Sequence, residues 1–293
     1  MQLPSSAVLA HRKQLQGLKL DPKNTHAGLA LERYLEAHKP TDREERANIK
    51  VTPEENHLEN VTQIQVSAAY RNAFARWEET IRALAYRKVR AITVSSLAVG
   101  LGNESPLEVG LTVHHTYGMP IIPGSAVKGM CRRGAMRLKA EGKINDKQFS
   151  VLLGDTRAAS YIVFWDAWYN PTSVDGCPFH RDVITVHHQK YYQKGSAWPT
   201  DFDDPNPVPF LVVKPGAEFL FAITAPNEEW GNFTIELLKW CLQNIGIGGK
   251  TNAGYGYFAE SKSIEVKVEE DRNALAAQLA RAGIKVSTKR NEK

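Results

Sequence analysis

Three stretches of this 293-residue chain gather side chains suited to holding a polyanion. The first, residues 117–133, reads Tyr-Gly-Met-Pro-Ile-Ile-Pro-Gly-Ser-Ala-Val-Lys-Gly-Met-Cys-Arg-Arg. A Pro-Gly-Ser turn opens a helical pattern with Ser125 as its expected N-cap. Lys128, Arg132 and Arg133 fall in its first turns, Arg137 and Lys139 follow, and no acid stands between Gly124 and Lys139. Free N–H groups at a helix start attract phosphate, and Lys128 and Arg132 stand one turn apart on one face. The competing reading is an amphipathic helix with an ordinary solvated basic face.

The second stretch, residues 244–258, holds Gly246, Gly248, Gly249, Gly254 and Gly256 around Lys250, Thr251, Asn252 and Tyr255. Such glycine density suits a backbone that approaches something closely, whereas a plain helix-to-strand connection needs one or two glycines. Gly249-Lys250-Thr251 matches the end of a Walker A loop. The match fails where Asn244 replaces the first glycine, and a helical pattern precedes the loop instead of a strand. ATP hydrolysis is not expected; a non-nucleotide phosphate cradle is.

In the third stretch, residues 182–211, His187, His188, Lys190, Tyr191 and Tyr192 combine backbone-contacting and base-stacking side chains. His114, His115 and Tyr117 form a smaller set of the same kind. Adjacent histidines on a strand point to opposite faces, so neither pair is expected to chelate a metal. An endoribonuclease using His114, His187, His188, Asp201 and Asp203 is the alternative from a different class. A subunit whose basic helix faces a neighbouring protein is a third.

The elements that must position these groups change texture near Val89. Residues 1–88 read as a mostly helical extension, clearest over 66–86, with a polar, solvated link over 39–60. Strands are expected at 90–99, 161–169, 183–188, 210–213, 218–224 and 255–260, and helices at 125–141 and 233–244. Apolar residues occupy both faces of 218–224, which marks a strand buried on two sides. That order predicts an α+β, ferredoxin-like or RRM-like core over 89–261, with a thumb-like insertion at about 170–209. A charged tail, 262–293, carries one short amphipathic helix at 272–282. The net charge of +5 and pI near 9.0 agree with an anionic partner but are too small to identify one. Cys131, Cys177 and Cys241 lie far apart in sequence and suggest neither zinc site nor disulfide framework. Without a signal-like N-terminus or an apolar span of ~20 residues, a cytoplasmic protein without cofactor is expected.

Four separated segments, residues 114–129, 186–192, 200–211 and 246–256, resemble in order the RAMP superfamily and, within it, the sixth-subunit family of the type III-B CRISPR (Cmr) effector. The resemblance spans roughly residues 89–260. It implies a non-catalytic RNA-binding subunit near one end of a ribonucleoprotein, holding the 3′ portion of the guide (crRNA). Target RNA would be met through the guide, in antiviral defence. The implied protein partners are the repeated backbone subunit and the other terminal RAMP subunit. In that family target cleavage is attributed to an aspartate loop of the backbone subunit, and this chain has no recognisable counterpart.

Overall fold

The computed structural model describes residues 15, 17–36, 51–83, 87–107, 109–186 and 206–261. Helices α1 (Ala27–Arg33), α2 (Pro53–Thr62) and α3 (Ala68–Ala83) precede strand β1 (Arg87–Thr93). The short β2 (Ile121–Ile122) leads into α4 (Gly124–Ala140) and α5 (Asp146–Leu153). Then come β3 (Val163–Phe164), β4 (Ala167–Tyr169), β5 (Phe179–Val186), β6 (Asn206–Val213) and β7 (Glu218–Thr224). Helix α6 (Glu228–Asn244) and strand β8 (Phe258–Glu260) follow. The main sheet runs β2-β4-β7-β1-β8, antiparallel throughout, with β3 also on β7. β1, α4, β4, β7, α6 and β8 thus form a β-α-β-β-α-β series.

Strand β7 shows why the layers form. Its residues are buried from Glu218 to Ile223. Phe219, Phe221 and Ile223 join Val127, Met130 and Cys131 of α4 and Leu237, Leu238 and Leu242 of α6 in the main core. Leu220 and Ala222, on the opposite face, meet Phe74 and Ile81 of α3, with Trp77, Trp165 and Trp168 packed around them. Each such side chain stabilises the fold by about 1.5–3 kcal/mol, enough to clamp the sheet between α3 and the α4–α6 pair.

Several boundaries depart from the periodicity. The first strand stops at Thr93, whose hydroxyl donates to the Lys214 carbonyl (2.8 Å) and accepts from Ala217 N–H (3.0 Å). The chain bends at Val94 and Ser95, and Leu97 then bridges to Val213 of β6. The strand expected over 161–169 is interrupted at Trp165 and Asp166 because the Asp166 carboxylate turns to accept from Gly124 N–H (2.7 Å). Helix α6 starts at Glu228 rather than 233. Asn227 caps it, accepting from Trp230 N–H (3.0 Å), and two glutamates complement the helix dipole. Phe233, expected inward, is exposed. Helix α5 was not anticipated; an Asn145–Gln148 capping box starts it.

The supposed polar link is helical where it is described. Thr52 and Glu55 form a capping box, with Glu55 Oε2 accepting from Thr52 N–H (2.8 Å) and Thr52 Oγ1 accepting from Glu55 N–H (3.2 Å). The box starts α2, whose Leu58 and Val61 are buried in the main core. Charge density hid an amphipathic turn pattern there. Thr52→Ala is expected to lower stability by about 1 kcal/mol in denaturant melts. Residues 39–50, the 272–282 helix and most of the third stretch lie outside the described residues.

Candidate nucleic-acid interface

The Gly-rich loop is built against residues 94–101. Gly256 N–H donates to Ser96 O (2.8 Å), Gly249 N–H to Ala98 O (2.7 Å) and Val94 N–H to Tyr257 O (2.9 Å). Inside the loop, Ile247 N–H donates to Gly256 O (2.9 Å) and Gly246 N–H to Cys241 O (3.0 Å). Glycine is required where the two segments touch. A Cβ on Gly248 would stand 2.4 Å from Ala98 O, and one on Gly256 1.9 Å from Ile247 O, both at positive φ.

These bonds sort the loop amides. Those of Gly246, Ile247 and Gly249 are bonded to carbonyls of α6, the loop and residue 98, whereas the amides of Gly248, Lys250 and Thr251 donate to no acceptor among the described residues. Lys250 is itself left-handed (φ 58°), a sparsely populated state for a side-chain-bearing residue. Its ammonium lies 5.3 Å from the ring centroids of both Phe210 and Tyr255. Tyr255 O–H donates to Asp182 Oδ2 of β5 (2.6 Å), and burial together with that carboxylate pushes its pKa up to about 12. The β5–β6 hairpin therefore props the lysine without neutralising it. Lys250 and Tyr255 are among the residues expected from sequence; Phe210 and Asp182, which hold them, are not.

At α4 the basic residues divide. Pro123, not Ser125, occupies the N-cap position, and no side-chain cap bond is made there. Asp166 supplies the anion at this helix start by accepting from Gly124 N–H. Arg132 is drawn away by Gly154 O (3.2 Å) and Leu153 O (3.4 Å), with its guanidinium 5.4 Å from the Phe149 centroid. Lys128 and Arg133 make no ion pair with any described residue. Ser125 and Arg133 are exposed and Lys128 is half-buried.

His114 and Tyr117 sit on the α3 side of the sheet. The His114 ring lies 4.7 Å from Tyr117 and 4.8 Å from Trp168, and its Nδ1 accepts from Thr116 N–H (3.2 Å). Burial against these rings holds its pKa below the usual histidine value, with Asp166 opposing. His115 is exposed, and its carbonyl accepts from His26 Nε2 (2.9 Å). His187, His188, Lys190, Tyr191, Tyr192, Asp201 and Asp203 lie outside the described residues. Cys131 and Cys241, distant in sequence, meet between α4 and α6. A hydrogen bond to Cys241, reinforced by burial, holds the Cys131 thiol well above its ordinary pKa. Among the described residues no group of three His, Cys, Asp or Glu could hold a metal ion, and no helix is long and apolar enough to cross a membrane.

Comparison with known proteins places this geometry. The chain is 28% identical over 224 residues to the CRISPR system Cmr subunit Cmr6 of Pyrococcus furiosus. That match covers 57% of this chain and 66% of the relative, slightly under two thirds of its length. A chain of the cryo-EM structure of the Type III-B Cmr-beta bound to cognate target RNA has the same fold. It superposes with a TM-score of 0.63 over 86% of this chain and 96% of its own length, at 18% identity. The RAMP superfamily model matches residues 90–259, more than half of the chain and inclusive of the second half of β1, α4, β7, α6 and the Gly-rich loop. The chain belongs to the RAMP superfamily.

Proposed function

We propose that this chain is a guide-RNA-binding, non-catalytic subunit of a type III-B CRISPR ribonucleoprotein. It holds the 3′ portion of the crRNA so that target RNA can pair with it. Its protein neighbours would be the repeated backbone subunit and the other terminal RAMP subunit. Family membership and the likeness to a protein named Cmr6 support this reading. The observation that carries it is the Gly-rich loop, where the unused amides of Gly248, Lys250 and Thr251 accompany an ammonium propped on two rings. Backbone donors beside a fixed cation recognise phosphate and ignore base identity, as sequence-independent retention of a guide requires. Lys128 and Arg133, on the acid-free α4, are added candidates for phosphate contact, and Thr251, Asn252 and Tyr255 complete the loop set.

Fluorescence anisotropy with unrelated single-stranded RNAs at several salt concentrations tests the assignment. Lys250→Ala is expected to weaken binding about fivefold for every sequence and to reduce the log–log salt slope by about 0.7. Lys128→Ala should do the same. Arg132 is a poorer probe because its loss also frees the Leu153 and Gly154 carbonyls. Unchanged slopes in both lysine variants would remove these residues from the interface. Discrete cleavage products from the wild-type protein, with or without Mg²⁺, would favour the endoribonuclease instead.

A further inference from the structure

Helices α4 and α6 pack with a glycine at their contact. Cys131 and Gly134 stand one turn apart on the buried face of α4, and Cys241 of α6 meets them there. A Cβ on Gly134 would stand 2.3 Å from Cys241 Sγ, so the sulfur fills the notch that the missing side chain leaves. The Cys131 thiol donates a hydrogen bond to the same sulfur, and both residues are fully buried. That donation lowers the pKa of the Cys241 thiol against the opposing effect of burial, and the Gly134 backbone, Arg137 and Arg133 act in the same direction. Two free thiols about 110 residues apart in sequence are thus in contact, with the thiolate favoured on one of them. Neither side chain belongs to the candidate RNA interface. The Cys241 carbonyl, however, accepts from Ile245 N–H (2.9 Å) and Gly246 N–H (3.0 Å) at the root of the Gly-rich loop.

We propose that Cys131 and Cys241 form a peroxide-oxidisable dithiol, whose disulfide ties α4 to α6 at the root of the Gly-rich loop. The inference is independent of what the chain binds. The Cys241 thiolate attacks one oxygen of hydrogen peroxide, the O–O bond breaks, and the departing hydroxide takes up the proton that Cys241 gave away. The Cys131 thiol then attacks the sulfenic sulfur. An S–S bond forms, and the sulfenic hydroxyl leaves as a second water with the Cys131 proton. The two thiols together lose two electrons, and peroxide gains them. Burial slows a thiol's reactions, but it also keeps external thiols away, so a sulfenic acid at Cys241 meets Cys131 first. Hydrogen peroxide is close to water in size and needs only a local opening to enter.

The test treats the full chain with hydrogen peroxide under native conditions, alkylates the remaining thiols and digests without reductant before mass spectrometry. A peptide pair joined through Cys131 and Cys241 is expected, and dithiothreitol should separate it. The oxidised protein should melt about 5 °C or more above the reduced form, because the bond closes a long loop of the unfolded chain. Cys131→Ala should abolish both the link and the shift, and leave Cys241 to pass to sulfenic or sulfinic acid. If that variant fails to fold, the peptide map of the wild type decides. Recovery of both thiols unoxidised while Cys177 reacts would overturn the inference. So would a link to Cys177, a link that forms only after denaturation, or a melting temperature that the Cys131–Cys241 link leaves unchanged.

Discussion

Gly256→Ala is expected to destabilise the protein by about 3 kcal/mol and to abolish RNA retention at salt concentrations where Lys250→Ala still binds. Two costs coincide at this residue. Its φ of 74° is strained for alanine, and the new Cβ would overlap Ile247 O at 1.9 Å. Relief requires residue 256 to move away from Ile247, which breaks Ile247 N–H to Gly256 O and disturbs the adjoining bond from Gly256 N–H to Ser96 O. Gly254 provides the internal control. Its φ is 91°, but nothing lies within 4 Å of a Cβ there, so Gly254→Ala should cost only the backbone strain, about 1 kcal/mol. Denaturant melts of the two variants with parallel RNA titrations check this. Equal, small effects would mean that the loop is not held against the sheet as described.

Glu218→Ala should cost a similar amount, about 3–5 kcal/mol, for an electrostatic reason. The Glu218 side chain is only 12% exposed and accepts from Arg90 Nη1 (2.7 Å), Asn170 Nδ2 (2.6 Å) and Ser261 Oγ (2.5 Å). Arg90 also donates to Glu78 of α3 (2.7 Å), so one carboxylate links β7 to β1, to the residue after β4, to the residue after β8 and, through Arg90, to α3. Removing it leaves a half-buried guanidinium with a single partner and orphans the Asn170 amide. Burial by itself would raise the Glu218 pKa, but the donors from Ser261, Arg90 and Asn170 outweigh it and hold the carboxyl below the usual glutamate range. A depressed folded-state pKa places the stabilisation above the unfolded value of about 4.3, and it fades as pH falls through the lower folded value. Urea midpoints of the wild type should therefore drop with acidification across that window. Glu218→Gln should be less stable at neutral pH and show a shallower drop; an identical pH profile would remove Glu218 from the account.

Much of the scaffold was legible in sequence because it is written in local periodicity. The two apolar faces of Phe219–Ile223, the stripe from Val127 to Ala135 and the glycine cluster after α6 each declare themselves within a few residues. Boundaries were less legible where a side chain outcompetes the pattern, as Thr93 does by bonding Lys214 and Ala217, and Asp166 by turning to Gly124. The short polar cap before α2 was overlooked because Thr52 and Glu55 sit in a charged stretch whose composition suggested a link.

The candidate interface divides along the same line. Its basic and glycine-rich segments, and the family resemblance they carry, belong to the sequence alone, because residue type and order suffice to state them. Folding determined which groups remain available. Arg132 is taken up by carbonyls more than 20 positions away, Asp166 occupies the start of α4 from 42 residues on, and Tyr255 reaches 73 residues back to Asp182 to prop Lys250. Those pairings join residues that no helical or strand period relates. They arise only when β7 brings α4, the β5–β6 hairpin and the Gly-rich loop around one sheet, and only then can a free amide or an unpaired cation be told from a spent one.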